Sequence, residues 1–392
     1  MKRKLKRSHR SVFGRRGMPP ALKTLLWIVI CVSVVALGYF GAKLTSEGRR
    51  PQPDLQVSGS DTTPSQPQSG TENPDVPADQ PSTPADVANI RAFYLPTSAL
   101  SVDSLTDTSL LQEAKAAGFN AVLFDLKDAE GTLYYTFSCP QAKKVNAYAP
   151  GALTADQLTA LFSLIREAGL QPIPRLYAFR DNLGGKALTD ARISHVDNHG
   201  WSWLDAAADK GGRRWLNPYS DAAHAYVGAL ADELKEMGAA AIMLDGVEFP
   251  HQLKDAYLGE DASTMDKGDA LTAFVAKMRS RLGEDCPVLL GCTAESALGN
   301  DTKCYGGNPL TFGATFASPA LTNEVQASVE KMILRTQVLE SKPDLVPMLM
   351  MDTVTVKEAN AAIAACIAGG ADSFILVPPA GNYDFSGYDL LP

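Results

Sequence analysis

Short apolar runs alternate with longer amphipathic stretches from residue 89 to the end of the chain. Short apolar runs are typical of buried strands, and apolar positions spaced three and four residues apart are typical of helices. The apolar runs predict strands at 90–95, 121–124, 172–177, 240–244, 288–290, 346–351 and 374–377, with one more strand within 291–319. The amphipathic stretches predict helices at 110–117, 155–168, 221–237, 266–282, 324–339 and 356–368, several of them followed by glycine.

This order of elements predicts a parallel sheet built from strand–helix units. Eight strands in residues 89–392 fit an α/β fold of the TIM-type (β/α)8 barrel class. An open, doubly wound sheet usually has a glycine-rich phosphate turn after its first strand, and the Leu-Pro-Thr-Ser that follows here contains no glycine. We therefore predict one barrel domain over residues 89–392.

The region before the barrel has a different composition. Residues 1–23 contain nine Lys and Arg and no acidic residue, and residues 24–42 contain no charge. An apolar run of about 20 residues can cross a membrane, and the basic side stays in the cytoplasm. We interpret 1–23 as a cytoplasmic segment and 24–43 as an uncleaved transmembrane signal anchor, which makes the rest extracytoplasmic. A cleavable signal peptide is the alternative, although its apolar core would be shorter and Gly38–Ala42 is a poor cleavage site.

Residues 44–88 are rich in Pro, Ser and Thr and contain few apolar residues. Such a segment cannot bury enough surface to fold, so we predict a disordered linker. Beyond residue 23 the chain has 27 Lys and Arg against 44 Asp and Glu, a net charge of about −17. This balance argues against a nucleic-acid partner and favours neutral or weakly charged ligands. The irregular cysteine spacing fits neither a disulfide framework nor a zinc site.

Acidic residues follow several of the predicted strands. The stretch 241–250 reads Ala-Ile-Met-Leu-Asp-Gly-Val-Glu-Phe-Pro, so a buried strand ends at Asp245 and Glu248 follows it. Parallel barrels carry their catalytic groups at this end of the strands. Hydrolysis of a glycosidic bond needs one carboxylate that attacks the sugar or activates water and a second, protonated one that donates to the leaving oxygen. The candidate catalytic residues are Asp245, Glu248, Glu295 and Asp125.

Each acid also has a structural interpretation. Asp245 could cap the segment that follows its strand. Asp128, within Asp-Ala-Glu-Gly, could be a turn residue. Glu295 could cap a loop, and Asp352 could be the N-cap of a helix that starts near Thr355.

Aromatic residues are concentrated near the end of the third strand. Arg175 and Tyr177 lie at that end, and the long loop that follows contains Trp201, Trp203, Trp215 and Tyr219. Flat aromatic rings beside an acidic cleft suit carbohydrate stacking. The alternative is that the loop uses these rings for a small core of its own.

Two histidines, His195 and His199, have a spacing that metal ligands can adopt. Together with Asp125 they are faintly similar to the metal-dependent polysaccharide deacetylases. The segment has a loop-like composition, and we predict neither a metal nor a cofactor. A deacetylase is therefore the less favoured alternative.

Four blocks of sequence carry a resemblance to a known family. They are Ile90–Leu95, Phe119–Gly131, Pro174–Phe179 and the stretch from Trp215 to Pro250. Together they resemble the glycoside hydrolase-like TIM-barrel domain family of uncharacterised bacterial envelope proteins. The resemblance implies a barrel that hydrolyses or binds an envelope or extracellular polysaccharide or oligosaccharide.

The resemblance also implies functional positions, which it places at Asp125, Lys127, Asp128, Arg175 and Asp245. With the aromatic loop and the later strand end, the expected substrate-binding residues are Arg175, Tyr177, Lys127, Asp128, Trp201, Trp203, Trp215, Tyr219 and Asp352.

The chain departs from the family at two places. The family usually has an arginine where Glu248 precedes Phe-Pro, and on a regular strand Glu248 would face away from Asp245 unless the backbone turns at Gly246. The family's Pro-Met-x-Tyr-Pro-Ser block is missing from 291–319. These departures keep open the alternative of a catalytically inactive carbohydrate-binding barrel.

Overall fold

The computed structural model describes residues 89–97, 108–322, 324–340, 342–352, 354–378, 383–385 and 387–388. The predicted cytoplasmic segment, the signal anchor at 24–43 and the linker at 44–88 lie outside these residues. Within them, no helix has both the length and the apolar character that crossing a membrane requires.

Eight parallel strands close into a barrel. In chain order they are β1 Arg91–Tyr94, β2 Ala121–Lys127, β3 Gln171–Tyr177, β4 Ile242–Asp245, β5 Val288–Thr293, β6 Phe316–Leu321, β7 Met348–Met350 and β8 Phe374–Val377. Each strand pairs with the next along the chain, and β1 pairs with both β2 and β8, which closes the sheet. The predicted (β/α)8 barrel is confirmed, and β6 overlaps only the end of the range 291–319 in which the sequence placed a strand, since it runs on to Leu321.

Helices connect these strands on the outside of the barrel. They are α1 Ser109–Ala117, α2 Pro140–Val145, α3 Ala155–Glu167, α4 Asn182–Ala187, α5 Asp221–Glu236, α6 Lys267–Leu282, α7 Ala294–Ala297, α8 Val325–Gln337 and α9 Val356–Ala368. Short 3-10 helices lie at Ala208–Lys210, Glu260–Ser263 and Pro309–Thr311. The six predicted helices correspond to α1, α3, α5, α6, α8 and α9.

Shorter strands extend from the connections. Leu133–Tyr135 pairs antiparallel with β2 and parallel with Tyr148–Leu153, and Asp344–Leu345 pairs with β6. A separate antiparallel sheet consists of Ser194–His195, Asn198–Ser202 and Ala256–Tyr257. This small sheet joins the loop after β3 to the loop after β4.

The core has two layers because successive strand side chains point to opposite faces. An inner cluster fills the barrel: Ile90, Ala92, Ala121, Leu123, Ile173, Ala241, Met243, Leu289, Phe316, Val346, Met348 and Ile375. Tyr94, Ala320, Met350 and Val377 are partly buried against it near the strand ends. A larger cluster packs between the strands and the helices. Side chains at every second position of a strand point into the barrel. Further along each strand, the side chains at these same alternate positions point into the mouth of the barrel.

The helix starts follow ordinary capping chemistry. Thr154 and Gln157 form a capping box at α3, and Thr355 and Glu358 form one at α9. Because Thr355 occupies the N-cap, the structural alternative for Asp352 is wrong: Asp352 is exposed and lies ahead of the cap.

Candidate active site at the barrel mouth

The carboxyl ends of β1 to β4 bring together five polar side chains. Asp125 of β2 lies opposite Arg175 of β3 in the register, and Tyr177 lies opposite Asp245 of β4. Tyr94 ends β1. Asp125, Arg175, Tyr177 and Asp245 have the same parity as the inner cluster, so they point into the mouth of the barrel.

Arg175 is the centre of this group. Its Nε and Nη2 donate to the two carboxylate oxygens of Asp125 at 2.5 and 3.0 Å, and its Nη1 donates to Oδ2 of Asp245 at 3.3 Å. The guanidinium also lies 5.2 Å from the ring centroids of Tyr94 and Tyr177. Burial lowers the pKa of Arg175, but the charge and hydrogen bonds of Asp125 and the charge of Asp245 outweigh this effect, so the pKa is raised. Arg175 therefore stays charged and fixes both carboxylates.

Tyr94 completes the Asp125 pair. Its hydroxyl donates to Oδ2 of Asp125 at 2.8 Å. Burial, followed by the charge of Asp125, raises the pKa of Tyr94, so the phenol remains a proton donor. With Arg175 on one side and Tyr94 on the other, the carboxylate of Asp125 is occupied by protein groups.

The backbone turns immediately after Asp245. Gly246 has a φ of 59°, in the left-handed region, and its N–H donates to Oδ1 of Asp245 at 2.8 Å. A Cβ at this position would lie 3.1 Å from Cβ of Arg180 and 3.2 Å from a ring carbon of Tyr177. Both the dihedral and the crowding favour glycine here. The bend that a shared Asp245–Glu248 cleft requires is present.

Gly291 on β5 provides room for the Asp245 carboxylate. A Cβ at Gly291 would lie 2.9 Å from Cγ of Asp245, 3.0 Å from its Oδ1 and 3.0 Å from Cε of Met243. These separations are shorter than van der Waals contact between carbon atoms. The absence of a side chain at this position therefore allows Asp245 its observed orientation.

Glu248 occupies a different environment from Asp245. It is half-buried, and burial followed by the negative charge of Asp245 raises its pKa, while Arg180 and a hydrogen bond with Tyr305 act in the opposite direction. Because the charge of Asp245 contributes to the raised pKa of Glu248, the two carboxyl groups are electrostatically coupled although their surroundings differ.

The loop that carries Glu248 is fixed by the loop after β5. The N–H of Phe249 donates to the carbonyl of Cys304 at 2.8 Å. Tyr305 is buried, and its own pKa is raised by burial and then by the charge of Glu248. The contacts between the two loops therefore fix the segment that carries Glu248.

A family of known domains matches this part of the chain. The family described as "Putative glycosyl hydrolase domain" matches residues 92–293, which include Asp125, Arg175, Asp245 and Glu248. The match covers just over half of the sequence. The chain belongs to this family.

Solved structures resemble the glycosyl hydrolase domain only distantly. A hypothetical protein from Ruminiclostridium thermocellum shares 22% identity with a TM-score of 0.43, over 50% of this chain and 96% of that one. An α-galactosidase from Thermus thermophilus shares 14% identity with a TM-score of 0.47, over 74% of this chain and 58% of the enzyme. A β-N-acetylhexosaminidase from Bacteroides fragilis shares 10% identity with a TM-score of 0.49, over 75% and 61%.

The chain thus spans about three fifths of the length of these two enzymes. Similarity at this level carries no information about the reaction of this chain. No curated protein matches the sequence.

Two residues at the end of β2 in the glycosyl hydrolase domain have structural partners. The register with β3 shifts between Asp125 and Lys127, so Lys127 no longer has the parity of the barrel interior. Lys127 is fully buried, its Nζ lies 2.9 Å from Oδ2 of Asp181, and it also donates to the carbonyl of Tyr177. This burial leaves Lys127 no surface for a substrate, contrary to the role expected from the sequence.

Asp128 is a turn residue, as its structural alternative supposed. Its Oδ1 accepts N–H bonds from Glu130 and Thr132 at 2.9 and 2.8 Å, and its Oδ2 accepts from the hydroxyl of Tyr134 at 2.9 Å. Burial and then the hydrogen bond with Asp128 raise the pKa of Tyr134 to about 12. Asp128 therefore shapes the loop beside the mouth.

The aromatic loop divides into core and surface. Trp203 and Trp215 are buried with Ile193 in a small cluster, and their indole N–H groups donate to Lys254 O and Asp205 Oδ2. Trp201 is 62% exposed. The small-core alternative therefore describes Trp203 and Trp215, while Trp201 lies at the surface.

Tyr219 is partly buried, unlike the buried Trp203 and the exposed Trp201. Its ring centroid is 5.3 Å from that of Phe249, and its hydroxyl donates to Met265 O at 2.9 Å. Tyr219 therefore links the aromatic loop to the loop that carries Glu248.

The remaining candidates are not part of the Arg175 group. Glu295 is exposed in the first turn of α7, and Asp352 is exposed after β7. The imidazole of His195 contacts Trp201 edge-on at 6.2 Å, and His199 stacks on Tyr257 at 3.6 Å between centroids. Among the described residues, no three His, Cys, Asp or Glu side chains cluster in a way that could hold a metal ion.

Sequence reasoning missed three residues of the site. Tyr94 could have been found, because it ends the first strand as Asp125 ends the second. Arg180 and Tyr305 lie in irregular loops, and no local pattern connects them to Glu248. Only the folded chain brings them together.

Proposed function

We propose that this protein is a membrane-anchored, extracytoplasmic glycoside hydrolase that acts on an envelope or extracellular polysaccharide. Asp245 serves as the nucleophile or base and Glu248 as the acid. Membership of the glycosyl hydrolase family and the closed barrel support the general assignment. The contrast between the environments of Asp245 and Glu248 is the observation that carries the chemistry.

The contrast separates the roles of the two carboxyl groups. Asp245 forms an ion pair with Arg175, which provides a carboxylate for attack or for activation of water. Glu248 has a raised pKa from burial and from the neighbouring charge, so it keeps its proton to a higher pH than an exposed glutamate. Opposed environments of this kind assign the base and the acid in glycoside hydrolases. Glu248 then donates its proton to the glycosidic oxygen as the bond to the leaving group breaks.

Asp125 has a positioning role in this scheme. Its two oxygens are bound by Arg175 and Tyr94, and only 11% of its side chain is exposed. It acts on the reaction by orienting Arg175, which in turn orients Asp245. A loss of Asp125 should therefore reduce kcat through a displaced Asp245.

The decisive experiment is incubation of the full-length protein with a panel of polysaccharides, with product release and binding scored separately. We expect release from at least one polysaccharide, and a fall of about 100- to 10,000-fold in kcat/KM for Glu248→Gln because proton donation is lost. Asp245→Asn should be at least as damaging. Asp156→Asn changes an exposed acid on α3 and serves as the control.

Binding without release, with affinity unchanged in Asp245→Asn, would instead support the inactive carbohydrate-binding barrel. This outcome is the main alternative because the chain has Glu248 at a position where the family usually has an arginine. If hydrolysis occurs, NMR of the first-formed anomer gives the stereochemistry. Retention corresponds to carboxyl groups about 5–5.5 Å apart and inversion to about 6.5–9.5 Å.

The anchor and linker belong to the same proposal. The basic segment 1–23, the uncharged run at 24–42 and the Pro-rich 44–88 support a single-pass protein with residues 89–392 outside. Protease treatment of intact cells should digest a C-terminally tagged domain, while the N-terminus stays protected in the membrane fraction. Recovery of the intact protein in the soluble fraction would contradict the anchor.

A further inference from the structure

A surface groove lies beside the barrel, around the start of α5. One part is a cavity of about 400 Å³ between α2 and α5, lined by residues that include Pro140, Leu188 and Ala222. The other is a cavity of about 320 Å³ toward the small sheet, lined by residues that include Tyr219 and Tyr257. Asp190 lines both cavities, so they adjoin at this residue, and the two together are here called the Asp190 groove.

The walls of the Asp190 groove are held rigidly. Nδ2 of Asn217 donates to Leu258 O at 2.9 Å, and its Oδ1 accepts from Tyr219 N at 3.1 Å. The hydroxyl of Ser220 donates to Asp190 O at 3.0 Å. The ring of Tyr257 is fixed by its stack on His199. A ligand would therefore bind a preformed surface and lose little affinity to ordering of the protein.

The lining combines apolar and hydrogen-bonding surface with balanced charge. Pro140 and Leu188 provide apolar contact in one cavity, and Tyr257 provides a ring in the other. The charged lining residues are Asp190, Asp221, Asp261, Lys144 and Arg192. Neither sign dominates, so the groove is not built for a polyanion. A saccharide matches it because each sugar ring has an apolar CH face and an edge of hydroxyl groups.

The groove shares its supporting loops with the barrel mouth. Its cavity toward the small sheet is formed by the loops after β3 and β4, and the same two strands carry Arg175 and Asp245. Tyr219, which lines this cavity, packs on Phe249, the residue after Glu248. The Asp190 groove and the mouth therefore lie at the same end of the barrel.

We propose that the Asp190 groove is a secondary saccharide-binding site, which holds a neutral part of a polysaccharide away from the catalytic carboxylates. This proposal rests on the proposed function, because it assigns the groove to the same substrate class. It implies that the protein prefers long chains. Each sugar unit held in the groove adds to affinity and leaves the chemistry at Asp245 unchanged.

The test measures binding of cello-, malto- and chito-oligosaccharides, from monosaccharide to hexasaccharide, to the full-length protein by calorimetry. We expect affinity for at least one series to rise with length. Asp190→Ala and Tyr257→Ala should each weaken hexasaccharide binding by about fivefold, the effect of one lost hydrogen bond or ring contact. Monosaccharide binding should change less. Asp156→Ala, an exposed acid on α3, is the matched control for Asp190→Ala.

Each measurement is repeated in Asp245→Asn, which separates this proposal from the hydrolase assignment. Length-dependent binding that needs Asp190 and Tyr257 supports the groove even if no hydrolysis is ever found. Hydrolysis with equal hexasaccharide affinity in Asp190→Ala and Asp156→Ala would overturn the groove and leave the hydrolase intact. Failure of every series to bind would also overturn it. A substitution in the groove that alters self-association and leaves sugar binding unchanged would also overturn the proposal.

Discussion

The Gly291→Ala substitution tests the assignment of Asp245 by adding a single methyl group. Its Cβ would lie 2.9 Å from Cγ and 3.0 Å from Oδ1 of Asp245. Ordinary carbon contacts lie at about 3.5–4.0 Å, so the carboxylate must move by roughly 0.6–1 Å. A displacement of about 1 Å at a reacting group costs about 100-fold in rate. We expect kcat/KM for the polysaccharide substrate to fall by this factor.

The fold should survive this change. Overpacking of this size costs about 1–3 kcal/mol in the free energy of unfolding, which thermal or urea denaturation can measure. Gly307→Ala is the matched control, because its Cβ would meet only a ring carbon of Phe312 at 3.6 Å, an ordinary contact. It should retain full activity and stability.

Two results would refute the reasoning. A folded Gly291→Ala protein with wild-type kcat/KM would mean that Asp245 does not take part in the reaction. A loss of activity in Gly307→Ala equal to that in Gly291→Ala would mean that the assay reports general disturbance of this region. A crystal structure of Gly291→Ala should show Asp245 displaced from its contact with Arg175.

Three further predictions follow from individual contacts. Burial raises the pKa of Glu248, so the folded protein holds this proton more tightly than the unfolded chain does. The free energy of unfolding should therefore fall as the pH rises from the ordinary pKa of glutamate through the raised pKa. Glu248→Gln should weaken this pH dependence in urea titrations. Lys127→Met should cost about 3–5 kcal/mol in denaturation experiments because it leaves the carboxylate of Asp181 buried without its partner, and Lys127→Met with Asp181→Leu should recover most of that loss. Trp203→Ala should lower the free energy of unfolding by about 3–5 kcal/mol, because this indole is buried. Trp201→Ala should change it by no more than about 0.5 kcal/mol, because this indole is exposed. Equal melting temperatures for the two variants would contradict this difference.

Hydrophobic periodicity predicted the fold well because every strand of the barrel is buried on both faces. It also placed Asp125, Arg175 and Asp245 together, since the carboxyl ends of adjacent parallel strands meet at one end of a barrel. Lys127 was misassigned because the register shifts by one residue after Asp125, which turns the Lys127 side chain to the opposite face of the sheet. The amino-acid composition does not reveal such a bulge.

The aromatic loop shows a second limit of sequence reasoning. A buried tryptophan and a sugar-binding tryptophan are the same residue type in a sequence. Only tertiary packing shows that Trp203 is buried and Trp201 is exposed. Tyr305 could not be found because its link to Glu248 depends on how two irregular loops meet. The turn at Gly246 was foreseen as a requirement, and its left-handed φ confirms it.

The strand ends that surround the mouth differ in polarity around the ring. The ends of β2 to β4 supply Asp125, Arg175 and Asp245, while the ends of β6, β7 and β8 supply Ala320, Met350 and Val377. The mouth thus has a charged half and an apolar half. A sugar ring that enters it meets hydroxyl partners on one side and a surface for its CH face on the other. Under the proposed function, this polarity would orient the ring before Asp245 and Glu248 act on it.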